Sequence, residues 1–412
     1  MAKMFKRPAE FILLLGLVIA LPIFEAPKNL LWGAWIIAWL YHRVRDKDYG
    51  GPWDTRDSLI ALLIASGYVG AAFAGLHNDE WGGANDVLRY GSILWALKRS
   101  GYGEKEFRWL IVAAIISTLI ALGVGLWSLW VSHARHSLEL DSVGHVNHSA
   151  IYLAISYGIA LAAVMAFWGR LGWVWRVAGL LAVGAFAAGV FISLSRGAVG
   201  AMIALTFFMS LAWSRKSKAI AAITMVTLIT TASIAYFSKV DVFSKAQNSM
   251  AADNVLSQRG EIWNAAVVTW RRFPLFGVGM GNYGQVSTER TKQWVEASGR
   301  TYVASNYLSY PHAHSLYLNT LAERGLFGFV VLVMLLSAWF YWLLRYLPGA
   351  HDENMAWMLW GGSFSAWLVT VGVGTVNTTL HHEHAILSMV MLGAWLAYLK
   401  LRIAHHPPQG GN

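Results

Sequence analysis

A chain of 412 residues with 56% hydrophobic and only 13% charged side chains carries too little polar surface for a soluble globular protein. Its net charge of +10 is scattered over short segments rather than gathered into a patch, which argues against a nucleic-acid partner. With no cysteine, disulfides and thiol catalysis are excluded.

Apolar runs long enough to span lipid recur from end to end. In chain order they fall near 9–24, 29–42, 57–75, 84–99, 107–131, 148–168, 173–194, 197–214, 218–238, 316–345, 354–375 and 381–403. Several are short, so those spans tilt or borrow flanking aromatic and snorkelling basic side chains. The first follows Lys3, Lys6 and Arg7, and no small-x-small cleavage site follows Leu21, so a retained anchor is expected. The 22 tryptophans fit interfacial belts.

Charge gives the orientation. With a cytoplasmic N-terminus, the inner segments are 1–8, 43–56, 98–108, 169–176, 214–218, the turn at Arg345 and the C-terminal tail, and they hold 19 of the 32 Lys and Arg residues. The short outer loops hold Lys28, Arg89, Arg135 and Arg196, and most of the rest lie in the long segment 239–324, which is exempt from the positive-inside rule. The expectation is an all-α polytopic membrane protein of about 12 transmembrane helices with both termini cytoplasmic. Residues 1–238 form spans one to nine, 239–315 an outer loop acting as lid or side wall, and 316–412 the last three spans and a tail.

Within the outer loop, 258–272 reads as an amphipathic helix with Ser257 as N-cap and Ile262, Ala266 and Trp270 on one stripe. The turn-rich run 273–283 ends it, 285–306 reads as a polar, mobile stretch, and Pro311 suits the first turn of the helix that re-enters the membrane. No fixed-period repeat or low-complexity tract interrupts this organisation.

Five groups of residues bear on chemistry. Arg196 lies in a hairpin, Ser195-Arg196-Gly197, that splits the overlong apolar stretch 177–213; an outward arginine at this level opposes the cationic bias and marks function, the alternative being a snorkelling interface residue. Arg259 opens the amphipathic helix, where the free N–H groups, the dipole and a bidentate guanidinium all favour a phosphate, the alternative being a surface arginine paired with Glu261. Arg271 and Arg272 close the same helix, where the dipole alone accounts for them. His312 and His314 flank the membrane re-entry. On a helix, residues two apart face nearly opposite ways, so the pair is not expected to share a metal ion, and a stripe with Ser315, Asn319 and Glu323 favours His312 as the cavity-facing residue. His145, Asn147 and His148 before the sixth span, with Arg89, are candidates for sugar hydroxyls, or for plain loop solvation.

Two further motifs are weaker. His381-His382-Glu383-His384 lacks the i, i+4 pair of a zinc helix, and no metal is assigned. Gly277-Val-Gly-Met-Gly281 follows no strand and is not a nucleotide loop.

Taken in order, Gly144-His-Val-Asn-His148, Ser195-Arg196-Gly197, Arg259 with Trp263, Phe273-Pro-Leu-Phe-Gly-Val-Gly279 and His314-Ser-Leu-Tyr-Leu with Glu323 and Gly325 make the chain resemble the O-antigen ligase branch of the polymerase–ligase superfamily of bacterial envelope glycosyltransferases. The resemblance covers the whole topology. It implies a GT-C-like fold in the inner membrane with a periplasmic site, and transfer of an O-antigen chain from undecaprenyl diphosphate to lipid A–core, without metal or cofactor. It also points to His314, where periodicity points to His312, and Ser315 departs from the asparagine usual after the motif histidine. The chemistry then reads as a histidine general base on a core sugar hydroxyl, with Arg196 and Arg259 on the diphosphate. An O-antigen polymerase or a protein O-oligosaccharyltransferase would use the same donor. A transporter for the lipid-linked glycan, of a different class, would need no base.

Overall fold

In a computed structural model that describes residues 7–220, 222–226 and 258–405, every named element is helical, and the described residues hold no strand, only a single β-bridge between Leu140 and Gly144. The helices are α1 (Pro8–Ala20), α2 (Glu25–Asp46), α3 (Thr55–Ala72), α4 (Glu80–Lys98), α5 (Glu104–Trp130), α6 (Val146–Phe167), α7 (Trp173–Ile192), α8 (Arg196–Trp213), α9 (Arg259–Arg272), α10 (Thr288–Ala297), α11 (Leu316–Arg345), α12 (Asn354–Val373) and α13 (His382–His405). Eleven of the twelve apolar runs are helices, and the ninth, 218–238, lies mostly outside the described residues. Seven helices, α5–α8 and α11–α13, are long and apolar enough to cross a membrane by length and composition. At 13 residues α1 is shorter, and α2–α4 fall below that apolarity.

Burial sorts these helices into centre and periphery. The apolar window of α6 is 89% buried, so a helix hydrophobic on all sides sits at the middle of the bundle, against α7, α8 and α12. The window of α7 is only 22% buried, which fits a lipid-facing position. At the basic end of the bundle, Asp57 is fully buried between Arg99 (2.7 Å) and Lys98 (2.8 Å), while Asp54 caps α3. Part of the basic bias is thus structural, because an unpartnered carboxylate there would be costly.

At the other end, α9 packs on α11, and residues 273–281 lie across a break in α11. Gly325 interrupts α11 at φ 60, ψ −164, and the backbone groups released there are taken up by the 273–281 run: Leu326 N–H donates to the Pro274 carbonyl (2.8 Å) and Phe327 N–H to Leu275 (3.1 Å). Val278 and Gly279 N–H groups donate back to Ala322 and Glu323 (both 2.9 Å). A Cβ at Gly325 would lie 2.3 Å from the Leu275 carbonyl, and the dihedrals are ones that side chains avoid. Gly325→Ala is therefore expected to cost roughly 1–3 kcal/mol of stability and to lower the thermal unfolding midpoint in detergent. An unchanged midpoint would mean that the kink does not need glycine.

Three local expectations need correction. The re-entry helix starts at Leu316, capped by Ser315, whose hydroxyl accepts from Leu318 N–H; residues 311–314 are not helical, and His314 has φ +47. The cap fixes the first turn five residues later than Pro311 would. Residues 285–306 include helix α10, capped by Ser287 and anchored by buried Thr291 and Val295. The amphipathic helix begins at Arg259 with Gln258 in the N-cap position, while Ser257 lies outside the described residues; Ile262 and Ala266 are buried as expected.

Candidate active site

Five helices begin at one place. α6, α8, α9, α11 and α13 start beside one another, and the residues at their first turns are His145, His148, Arg196, Arg259, His314, His382 and His384. Each N-terminus brings the positive end of a helix dipole, so the region favours an anion before any side chain is counted, although the Leu316 and Leu318 N–H groups of α11 are already bonded within the protein. The turns that feed these helices are strained. Of the eight described non-glycine residues with positive φ, five are Leu194, Gln258, His314, Leu380 and His382, each at or just before one of these starts.

The histidines form a connected cluster. The rings of His312 and His314 are 4.2 Å apart, and Tyr310 lies 4.7 Å from His314. His148 is the hub: its ring centroid is 6.0 Å from His312, 5.9 Å from His381, 6.0 Å from His382, 5.3 Å from His384 and 5.8 Å from His145. This overturns the expectation that 312 and 314 point apart, which assumed a helix where the chain is an irregular turn. No three described His, Cys, Asp or Glu residues are set to hold one metal ion.

Local bonds fix the 312–314 turn. Asn319 Oδ1 accepts from Ala313 N–H (2.9 Å), its Nδ2 donates to Glu323 Oε2 (2.8 Å), and Glu323 Oε1 accepts from Gly281 N–H (3.0 Å). The polar stripe read along this helix therefore serves to position the histidine turn rather than to face the cavity. The turn 374–380 closes the other side, with Leu316 N–H donating to Gly374 (2.8 Å) and the Asn377 side chain bonding His314. Lys28 of α2 makes a buried ion pair with Glu383 and donates to Ser142 Oγ (3.1 Å), tying the start of α13 to the rest of the bundle.

Burial sets the protonation of the pair. His314 is pushed down to about 4 by burial first, then by His312 and Arg259, with the Asn377 bond opposing. Burial also brings His312 to about 4, aided by His145 and His382. Both are neutral imidazoles near neutral pH, each with an unpartnered Nδ1. The Arg259 guanidinium is lowered by burial and then by Arg196, so two like charges share one space. Two guanidiniums in one space suit an anion that carries two negative charges.

The site thus unites His312, His314, Arg196, Arg259 and His145. Asn147 joins it through its N–H, which donates to His145 Nδ1 (3.2 Å). Arg89 instead pairs with Asp86 (3.1 Å) and lies over the Trp32 ring (5.7 Å). His148, a candidate for sugar hydroxyls or for loop solvation, belongs to the cluster, and so do His381 and His384, whose motif lacked the spacing of a zinc helix.

Residues 181–333 match the family model described as O-antigen ligase, and this supports membership of the chain in the O-antigen ligase superfamily. The match includes Arg196, Arg259, His312 and His314, and leaves the α6 and α13 histidines outside. No curated protein matches the chain.

Proposed function

We propose that this member of the O-antigen ligase superfamily transfers O-antigen polysaccharide from undecaprenyl diphosphate to a sugar hydroxyl of lipid A–core at the periplasmic face of the inner membrane. The observation that carries the reading is the meeting of neutral buried histidines with two close arginines at a convergence of helix N-termini, at one end of an apolar bundle. In this reading all twelve apolar runs span the membrane, both termini are cytoplasmic, and the fold is GT-C-like. Residues 258–315 of the outer loop stand over the periplasmic end.

The reaction is a single displacement. The core hydroxyl oxygen attacks the anomeric carbon, its proton passes to His314, and the bond from that carbon to the diphosphate oxygen breaks. The leaving diphosphate gains charge, which Arg196, Arg259 and the helix N-termini stabilise more strongly than they do the bound donor. An apolar groove of about 280 Å³ between α11 and α12, with Tyr317 at its upper end three residues from His314, gives a prenyl chain a path out to lipid. His145 and Asn147 stand on the acceptor side, and Arg89, held by Asp86 and Trp32, is left out of the sugar contacts. Metal has no part in this scheme, and charge neutralisation falls to the arginines.

The assay is transfer by purified protein in nanodiscs, given undecaprenyl-diphosphate glycan with rough lipopolysaccharide, with and without EDTA. Ligated lipopolysaccharide that survives chelation is expected. Elongation of the donor alone would instead make the protein a polymerase.

The pH dependence has a definite sign. With both histidines depressed to about 4, the base form is present at neutral pH and is lost as pH falls through the folded value. The rate should be flat from neutral pH down to about pH 5 and fall through about 4. A fall centred near the ordinary histidine value of about 6.5 would show the base to be exposed.

A further inference from the structure

Away from the histidines, α9 and α10 enclose a cavity of about 350 Å³, floored by Val268 and Trp294 and rimmed by Arg271, Arg272 and Arg300. The helix dipole explains a cation at the end of α9, but not why Arg300, from beyond α10, faces the same space. None of the three makes an ion pair among the described residues; Arg300 Nε donates to Ser298 Oγ (2.9 Å), and Arg272 lies 5.7 Å from the Phe273 ring. Three guanidiniums around one cavity repel one another unless an anion joins them, and their planar forks match phosphate oxygens.

The cavity also borders an apolar surface. Phe273 meets Trp294 edge-on at 5.6 Å, and the chain continues to Leu275, 59% exposed, and Phe276, stacked on exposed Phe73 at 4.9 Å. Leu326 of α11 is exposed beside this run, and Val330, Val333 and Met334 carry an exposed apolar lane down the same helix. A ligand with its charge on the arginines therefore has its hydrocarbon beside that lane. Along α9, Arg271 is twelve residues from Arg259, or about 18 Å at the helical rise.

We propose that this cavity is a docking seat for a phosphate of the acceptor, a phosphorylated glycolipid whose acyl chains lie along α11 and whose oligosaccharide reaches to the histidine site. The proposal rests on the ligase reading for the identity of the lipid. It adds a second, remote hold on the acceptor that spends binding energy on positioning a large substrate.

The test is a binding titration of rough lipopolysaccharide against the full chain in nanodiscs of zwitterionic lipid, which needs no transfer. Arg271→Gln/Arg300→Gln should weaken binding by about tenfold, and wild-type protein should bind enzymatically dephosphorylated rough lipopolysaccharide as weakly. In the transfer assay the same variant should raise the acceptor KM and leave kcat and the donor KM unchanged. The variant's monodispersity and melting curve in nanodiscs establish that it is folded; both arginines are exposed. Equal binding by variant and wild type would overturn the proposal. So would indifference to dephosphorylation, or competition by phosphatidylglycerol in the disc at equal strength, which would assign the cavity to bulk phospholipid. His314→Ala is expected to leave this titration unchanged, so binding without transfer by the wild-type protein would refute the catalytic reading alone.

Discussion

His314→Ala is expected to lower transfer by roughly 10²–10⁴-fold, the range for loss of a positioned general base, while membrane insertion and donor binding persist. The side chain is buried, bonded to Asn377 and close enough to Arg259 to feel its charge, which suits the place proposed for the acceptor hydroxyl and the leaving diphosphate. His312 stands 4.2 Å away, ring to ring, and is closer to the α6 and α13 histidines. His312→Ala should therefore cost about tenfold, an effect of packing and hydroxyl contact rather than of proton transfer. Single-turnover rates with saturating donor and acceptor distinguish the two. If the larger loss falls on 312, the roles are exchanged.

The second large effect is on the anion side. Arg196→Ala and Arg259→Ala are each expected to reduce kcat by about 10²–10³-fold, the usual result of deleting one preorganised donor at a developing charge. Replacement by lysine should recover only part of that, because a point charge cannot make the bidentate contact. The double variant should lose less than the product of the single losses, since both arginines act on one group. A wild-type rate in either single variant would remove that arginine from the mechanism.

Much of this was legible in the sequence, for identifiable reasons. Apolar runs report helices because lipid leaves the backbone no other partner. The break before Arg196 was visible because the stretch was too long for one span, and the structure places it at Ser193–Ser195. Other features were hidden. The turn at 311–314 is set by the Ser315 cap and by Asn319 reaching back to Ala313, a bond that periodicity does not encode. Helix α10 buries only Thr291 and Val295, too sparse a stripe to stand out from a polar tract. The gathering of His148 with His381, His382 and His384 depends on the packing of α6 beside α13, a contact of more than 200 residues in sequence. The 273–281 run read as a glycine-rich turn, and its purpose emerged only with the broken backbone of α11 that it completes.

One displacement, with a histidine taking the hydroxyl proton and two arginines holding the departing diphosphate, is proposed to join glycan to acceptor. Its most direct test is to transfer a donor of known anomeric configuration with the purified protein and read the new linkage by NMR. Inversion at the anomeric carbon is expected. A product that retains the donor's configuration would require a covalent glycosyl intermediate or a second displacement, and would contradict it.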